Sequence, residues 1–233
     1  LVAPPAAAPD RDVPSSPAGI GATALGSLDP SWGDALPKGE PALPSDMWQG
    51  TPRGTLRSLL ALLGPTASPA LRALTRRLLL SGAAAPSGAD PADAPSLLLL
   101  RAQALTRIGD LAGARAVLDN FRAGKHDEAG DRLRIELAFA GNDTAGACEH
   151  VAAGLALYRN VWWDQANISC QLLSGDRDKA ALALDVLHDR DAPPDPLFDV
   201  LVAAASGQGA KLDKRATLTP SRVTLWAAGK RPL

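Results

Sequence analysis

Apolar residues along this chain recur at helical intervals, and they almost nowhere alternate with polar ones as a half-buried strand would require. In ALTRIGDLAGARAVL, residues 104–118, two apolar runs with helical spacing flank a Gly-Asp pair, the punctuation of a helical hairpin. The segment PALRALTRRLLLSG sets Leu71, Leu74 and Leu78 on one helical face and Arg72, Arg76 and Arg77 largely on the other, ending at Gly82. Thr51-Pro52 and Ser68-Pro69 each read as an N-cap followed by proline at the first helical position, and Asp90-Pro91 repeats the signature. These signals predict helices near 52–63 and 69–81, with the arginines of the second on a solvated face.

The hairpin at 104–118 does not stand alone. Gly109-Asp110 recurs as Gly141-Asn142 and Gly175-Asp176, and Gly207 follows a last apolar run, at intervals of 32, 34 and 32 residues. A small residue lies five positions after each of the first three glycines: Ala114, Gly146 and Ala180. A sustained period of this length predicts an array of helical hairpins. The pattern resembles the tetratricopeptide repeat over roughly 91–209, with Leu118 and Leu184 at the place of its large gap-filling residue and His150 at that place in the second repeat. A generic helical-hairpin solenoid is the alternative. The proline-rich start and the segments SLDP and DMWQGTPR, taken with the repeat, are also similar to a poorly described group of alphaproteobacterial envelope proteins. The expected fold is all-α: a proline-rich arm or linker over 1–50, an N-terminal helical hairpin over 51–90, and tetratricopeptide-like repeats forming an α-solenoid over 91–233, with four or more hairpins in all.

Composition sharpens this picture at both ends. Nine prolines fall within residues 1–50, a content that cannot bury enough surface to offset its ordering entropy and predicts a tether. Trp32, Met47 and Trp48 are more than an idle linker needs; they either pack onto the folded part or meet a separate partner. Over the whole chain, 24 basic residues balance 25 acidic ones, leaving no excess to hold a nucleic-acid backbone. No apolar run approaches the roughly 18 residues of a spanning helix. The start at Leu1 and the abrupt end after SRVTLWAAGKRPL suggest a removed leader or a longer natural chain.

Candidate chemistry is sparse. Cys148 and Cys170 fall on neighbouring helices of the expected array, where they form either a disulfide suited to an oxidising compartment or a pair of buried thiols. Cys148-Glu149-His150 joins a thiol to an imidazole, but neither His126 nor His188 has the spacing to complete a metal site, and no cofactor motif is present. GIGATALG, residues 19–26, lacks the strand, the lysine and the helix of a phosphate-binding loop. Asn142-Asp143-Thr144 and Asn167-Ile168-Ser169 match the N-glycosylation pattern, a frequent coincidence. No nucleophile, histidine and acid form a local catalytic motif, so the chain is read as a non-enzyme.

The resemblance implies that the first helix of each hairpin lines a concave groove, which here points to Gln103, Arg107, Asp131, Ile135, Trp162, Gln165 and Ser169. Such residues suit a protein or peptide partner: Gln and Arg hold backbone and carboxylate groups, and Trp162 offers flat apolar area. One of the neighbours Trp162 and Trp163 should be core, since they lie about 100° apart on a helix. The expected function is a protein–protein interaction scaffold or adaptor exported to the bacterial periplasm. The alternative is a helical accessory domain of a cell-wall enzyme whose catalytic part lies outside this chain.

Overall fold

The computed structural model describes residues 32–91, 94–119, 127–190 and 193–230. The expectations for 1–31, including GIGATALG, and for His126 lie outside the described residues. The described chain is all-α. It forms α1 (Arg53–Leu62), α2 (Pro69–Leu80), α3 (Leu97–Arg107), α4 (Leu111–Asp119), α5 (Glu128–Ala140), α6 (Thr144–Leu155), α7 (Val161–Leu173), α8 (Arg177–His188), α9 (Pro196–Ala205) and α10 (Pro220–Ala228). No described helix is long and apolar enough to cross a membrane.

Local chemistry explains most helix starts. The Ser68 hydroxyl accepts from the Leu71 N–H, with Pro69 at the first position, and Ser96 caps α3 in the same way. The other two proline signatures act differently. Pro52 is itself the extended residue before α1 and caps nothing with its side chain. Asp90 starts no helix, because its carboxylate is held by Arg53 at 3.0 Å and Arg57 at 2.9 Å, and α3 begins only after Ser96.

Consecutive helices α3 and α4, α5 and α6, and α7 and α8 pack as pairs, while α4 also meets α5 and α6 meets α7. The turns between partners use a left-handed residue to reverse the chain: Gly109 at φ +85°, Gly175 at φ +88° and, in the middle pair, Asn142 at φ +63°. Gly141 has φ −87° and only closes α5, so a Gly-to-Gly alignment puts this turn one residue out of register, although all three turns span three residues. The positions that correspond are therefore Asp110, Asp143 and Asp176, each just before a second helix and 33 residues apart. The fully buried small residues are Ala114, Ala147 and Ala180, and Val151 at 1% exposure takes the place assigned to His150, which is exposed. Gly146 has a different duty: a Cβ there would lie 2.4 Å from an oxygen of the capping Asp143.

The expected N-terminal hairpin is not one. Helices α1 and α2 do not pack on each other; α1 docks on α3, and α2 docks on α3 and α4. Leu71 and Leu74 are 51% exposed, and the buried residues of α2 are Thr75, Leu79 and Leu80. The reason is the preceding segment, which lies along the end of α2: Ala35 N–H donates to Leu80 C=O, Ala83 N–H to Trp32 C=O and Leu43 N–H to Ser81 Oγ. Arg76, expected to face solvent, pairs with Glu40 and with Asp110. Trp32 is buried against Trp48, edge to face at 5.1 Å, and Met47 packs on the same cluster. The buried guanidinium of Arg101 lies 4.5 Å over Trp32 and donates to Leu79 and Gly33 carbonyls; burial pushes its pKa down to about 10 against the opposing charge of Asp34. One cluster thus runs from Trp32 through Leu56, Leu79 and Leu105 to Leu137, across the boundary expected at residue 90.

Candidate partner-binding surface

The first helices of the pairs, α5 and α7, are joined by α9, which packs on α7. Their seam with α6 is built around Trp163, which is fully buried, with Tyr158 stacked on it at 5.0 Å and Trp162 edge-on at 4.9 Å. Glu128 at the start of α5 gathers three donors on one oxygen: Asn160 Nδ2 at 2.7 Å, Trp163 Nε1 at 2.9 Å and the guanidinium of Arg132. The Asn160 bond contributes most to holding the Glu128 carboxyl below its usual value; burial opposes it, and Trp163 and Arg132 add to it. Tyr158 donates to Asp131 at 2.8 Å, and burial, then that bond and the surrounding carboxylates, push the phenol well above its ordinary range. Cys148 on α6 and Cys170 on α7 are joined by a disulfide, with Cα atoms 5.6 Å apart.

The seven candidate groove residues do not form one open surface. Ile135 is fully buried beside Phe139 and Trp163, and Ser169 is 6% exposed with its hydroxyl donating to the Gln165 carbonyl. Asp131 is engaged by Tyr158 and by Arg134 at 2.6 Å. Arg107 closes the end of α1, donating to Leu63 C=O at 2.7 Å and Leu60 C=O at 2.6 Å, because the last carbonyls of a helix lack intrahelical partners. Gln103 is half-buried. Trp162 is half-buried too, with the Arg132 guanidinium 4.9 Å over its ring. Gln165 remains in place, donating to Asp195 at 3.2 Å.

What occupies this face is the chain's own α10, which packs on α5, α7 and α9. Glu136 of α5 accepts from the Ser221 N–H at 2.9 Å and from the Ser221 hydroxyl at 2.7 Å. Asp195, the N-cap of α9, accepts from Phe198 N–H, from Gln165 and from Arg222 of α10. Burial alone would raise the Asp195 pKa, but these three donors outweigh it and the carboxyl lies below its usual value. Leu225 is fully buried in a cluster with Ile168, Leu201 and Phe198. Glu136 and Asp195 were not among the sequence candidates. Glu136 is one residue past Ile135, a rotation of about 100° that separates the seam from the open face. Asp195 was signalled by the same cap-then-proline pattern as Ser68-Pro69, with Pro196 after it.

A separate cleft of about 410 Å³ lies between α7 and α8, lined by Gln171, Lys179, Leu182, Val186 and the ion-paired Asp164 and Arg190. Its walls carry no histidine, serine or cysteine. Among the described residues no three His, Cys, Asp or Glu side chains are placed to hold a metal ion. What the α5–α7–α9 face offers chemically is recognition: two carboxylates for a guanidinium and for the free N–H groups at a helix start, beside an apolar socket. No family model, no curated protein and no solved structure matches the chain.

Proposed function

We propose that this protein is a non-enzymatic scaffold or adaptor, a tetratricopeptide-like α-solenoid that holds a protein partner on the face of its first helices. The observation that carries the reading is that a helix already sits there, held by Glu136, Asp195 and the socket around Leu225. A surface that seats one short helix through charge-assisted hydrogen bonds and an apolar anchor has the chemistry to seat another. The 33-residue interval of Asp110, Asp143 and Asp176, with Ala114, Ala147 and Ala180 buried four residues later, supports the repeat reading. We place its work in the bacterial periplasm, a reading supported by the Cys148–Cys170 bridge, since such bonds persist in oxidising compartments.

The test is partner capture from envelope extract by the unaltered chain, by a Glu136→Lys, Asp195→Lys chain, and by an Arg72→Ala chain as control. The control suits because Arg72 is an exposed residue of α2 whose side chain bonds, among the described residues, to the Thr66 carbonyl nearby. A partner lost in the double variant and kept in the control supports the reading. Equal recovery from all three moves the binding surface elsewhere, and no specific partner from any of them defeats the adaptor reading.

A further inference from the structure

The place of α10 departs from the rhythm of the preceding pairs. Second helices begin after Asp110, Asp143 and Asp176, so the same interval would start another at about residue 210. Instead Gly207 and Gly209 take left-handed conformations, and the chain runs without a helix to Pro220. The intervening Lys211, Asp213, Lys214 and Arg215 are exposed. Each of α4, α6 and α8 packs only against first helices of its own or the next pair, or, for α4, also α2; α10 reaches back across α9 and α7 to α5.

Its helical start also depends on that docking. The side chain of Thr219, at the N-cap, bonds to no backbone N–H and instead meets the Ser221 hydroxyl at 2.9 Å. The free N–H of Ser221 is satisfied from α5 by Glu136. A nine-residue helix without a cap of its own is too short to persist in water. Only Leu225 of α10 is fully buried, and Val223 on the same helix is 50% exposed. The element is therefore a short segment that owes its helical form to its seat, with Trp226 beside Leu225 on the same cluster, and its connection joins exposed charged residues to Leu212 and Leu218, which also pack there.

We propose that α10 is an internal stand-in for the partner: the α5–α7–α9 face binds an amphipathic helix of another protein that carries a hydroxyl residue and an arginine in its first turn and leucine a turn later. The spacing is that of Ser221, Arg222 and Leu225, and the partner helix displaces α10. The proposal rests on the adaptor reading for its biological sense, while the site itself can be tested without any natural partner.

The probe is a fluorescein-labelled synthetic peptide with the sequence of residues 217–230, titrated by fluorescence polarisation against the full chain. In a Leu225→Asp chain the internal helix loses its anchor while α5, α7 and α9 are unaltered, and the peptide should bind at least tenfold more tightly than to the unaltered chain. A peptide with Arg222→Glu should lose that gain, and so should a chain combining Leu225→Asp with Glu136→Gln. A Ser221→Ala, Arg222→Ala chain, which keeps the leucine, should show a smaller gain in the same direction. Circular dichroism accompanies each variant. Equal peptide affinity in the altered and unaltered chains, with helix retained, overturns the proposal. So does loss of the whole fold in both α10 variants, which would make α10 a structural element. A concentration-dependent dimer of the unaltered chain that the peptide dissociates would assign the face to a second copy's α10 and overturn the separate partner. If the peptide binds as stated while envelope extract yields no partner, the site stands and the adaptor reading falls.

Discussion

Gly154 on α6 is the position where one added carbon should matter most. A Cβ there would stand 2.1 Å from Cζ3 and 2.3 Å from Cη2 of Trp163, where carbon atoms ordinarily approach to about 3.5–4.0 Å. Something must move by more than 1 Å. Trp163 has no room to give, being fully buried, stacked on Tyr158, edge-on to Trp162 and hydrogen-bonded through Nε1 to Glu128. Helix α6 is fastened to α7 by the Cys148–Cys170 bridge. Replacing glycine by alanine inside a helix favours folding by about 1 kcal/mol, while forcing extra volume into a packed core costs about 1–3 kcal/mol. With a clash this deep the steric cost is at the upper end, so Gly154→Ala should lower stability by about 1–2 kcal/mol net. Urea titration followed by far-ultraviolet circular dichroism measures it. Gly54→Ala is the comparison: a Cβ at Gly54 on α1 meets nothing within 4 Å, so the same exchange should be neutral or stabilising by up to about 1 kcal/mol. A Gly154→Ala midpoint equal to or above that of the unaltered chain would refute the packing argument around Trp163.

Two further outcomes follow from the site. Protein isolated under native conditions should gain about 2 Da on reduction, and breaking the bridge across its 22-residue separation should cost about 3 kcal/mol in the same titration; two freely alkylated thiols before reduction would remove the argument for an oxidising compartment. Asp195 and Glu128 both lie below their usual pKa values when folded, so their contribution is complete above the unfolded values near pH 4 and is lost as pH falls through the folded ones. Helix content and α10 docking should therefore be unchanged from pH 7 to about 5 and weaken below about 4. A docking signal that weakens between pH 7 and 5, followed by a fluorophore at the exposed Lys214 position, would point to groups other than these carboxylates.

Most helix starts and two of the three glycine reversals are legible in short stretches of sequence, Asp90-Pro91 being an exception because Arg53 and Arg57 take its carboxylate. Caps and turns act over three or four residues: Ser68, Ser96, Asp127 and Asp143 each accept from an N–H two or three positions ahead, and Gly109 and Gly175 supply left-handed conformations that other residues resist. That information is complete within the local stretch. Which side of a helix becomes core is different, because it depends on what lies across from it. Leu71 and Leu74 satisfy the helical period yet stay exposed, since the docked 32–48 segment and α3 turn the other side of α2 inward. Ile135 and Glu136 are adjacent in the chain, and only the packing of α6 and α7 against α5 sends the first into the seam and leaves the second to meet Ser221. The left-handed residue of the middle turn is Asn142 and not Gly141, which sets the middle register at Ala147 and Val151 instead of Gly146 and His150. The seat of α10 lay furthest from view: Ser221 and Glu136 are 85 residues apart, and a contact of that separation is fixed by the summed geometry of every helix between them.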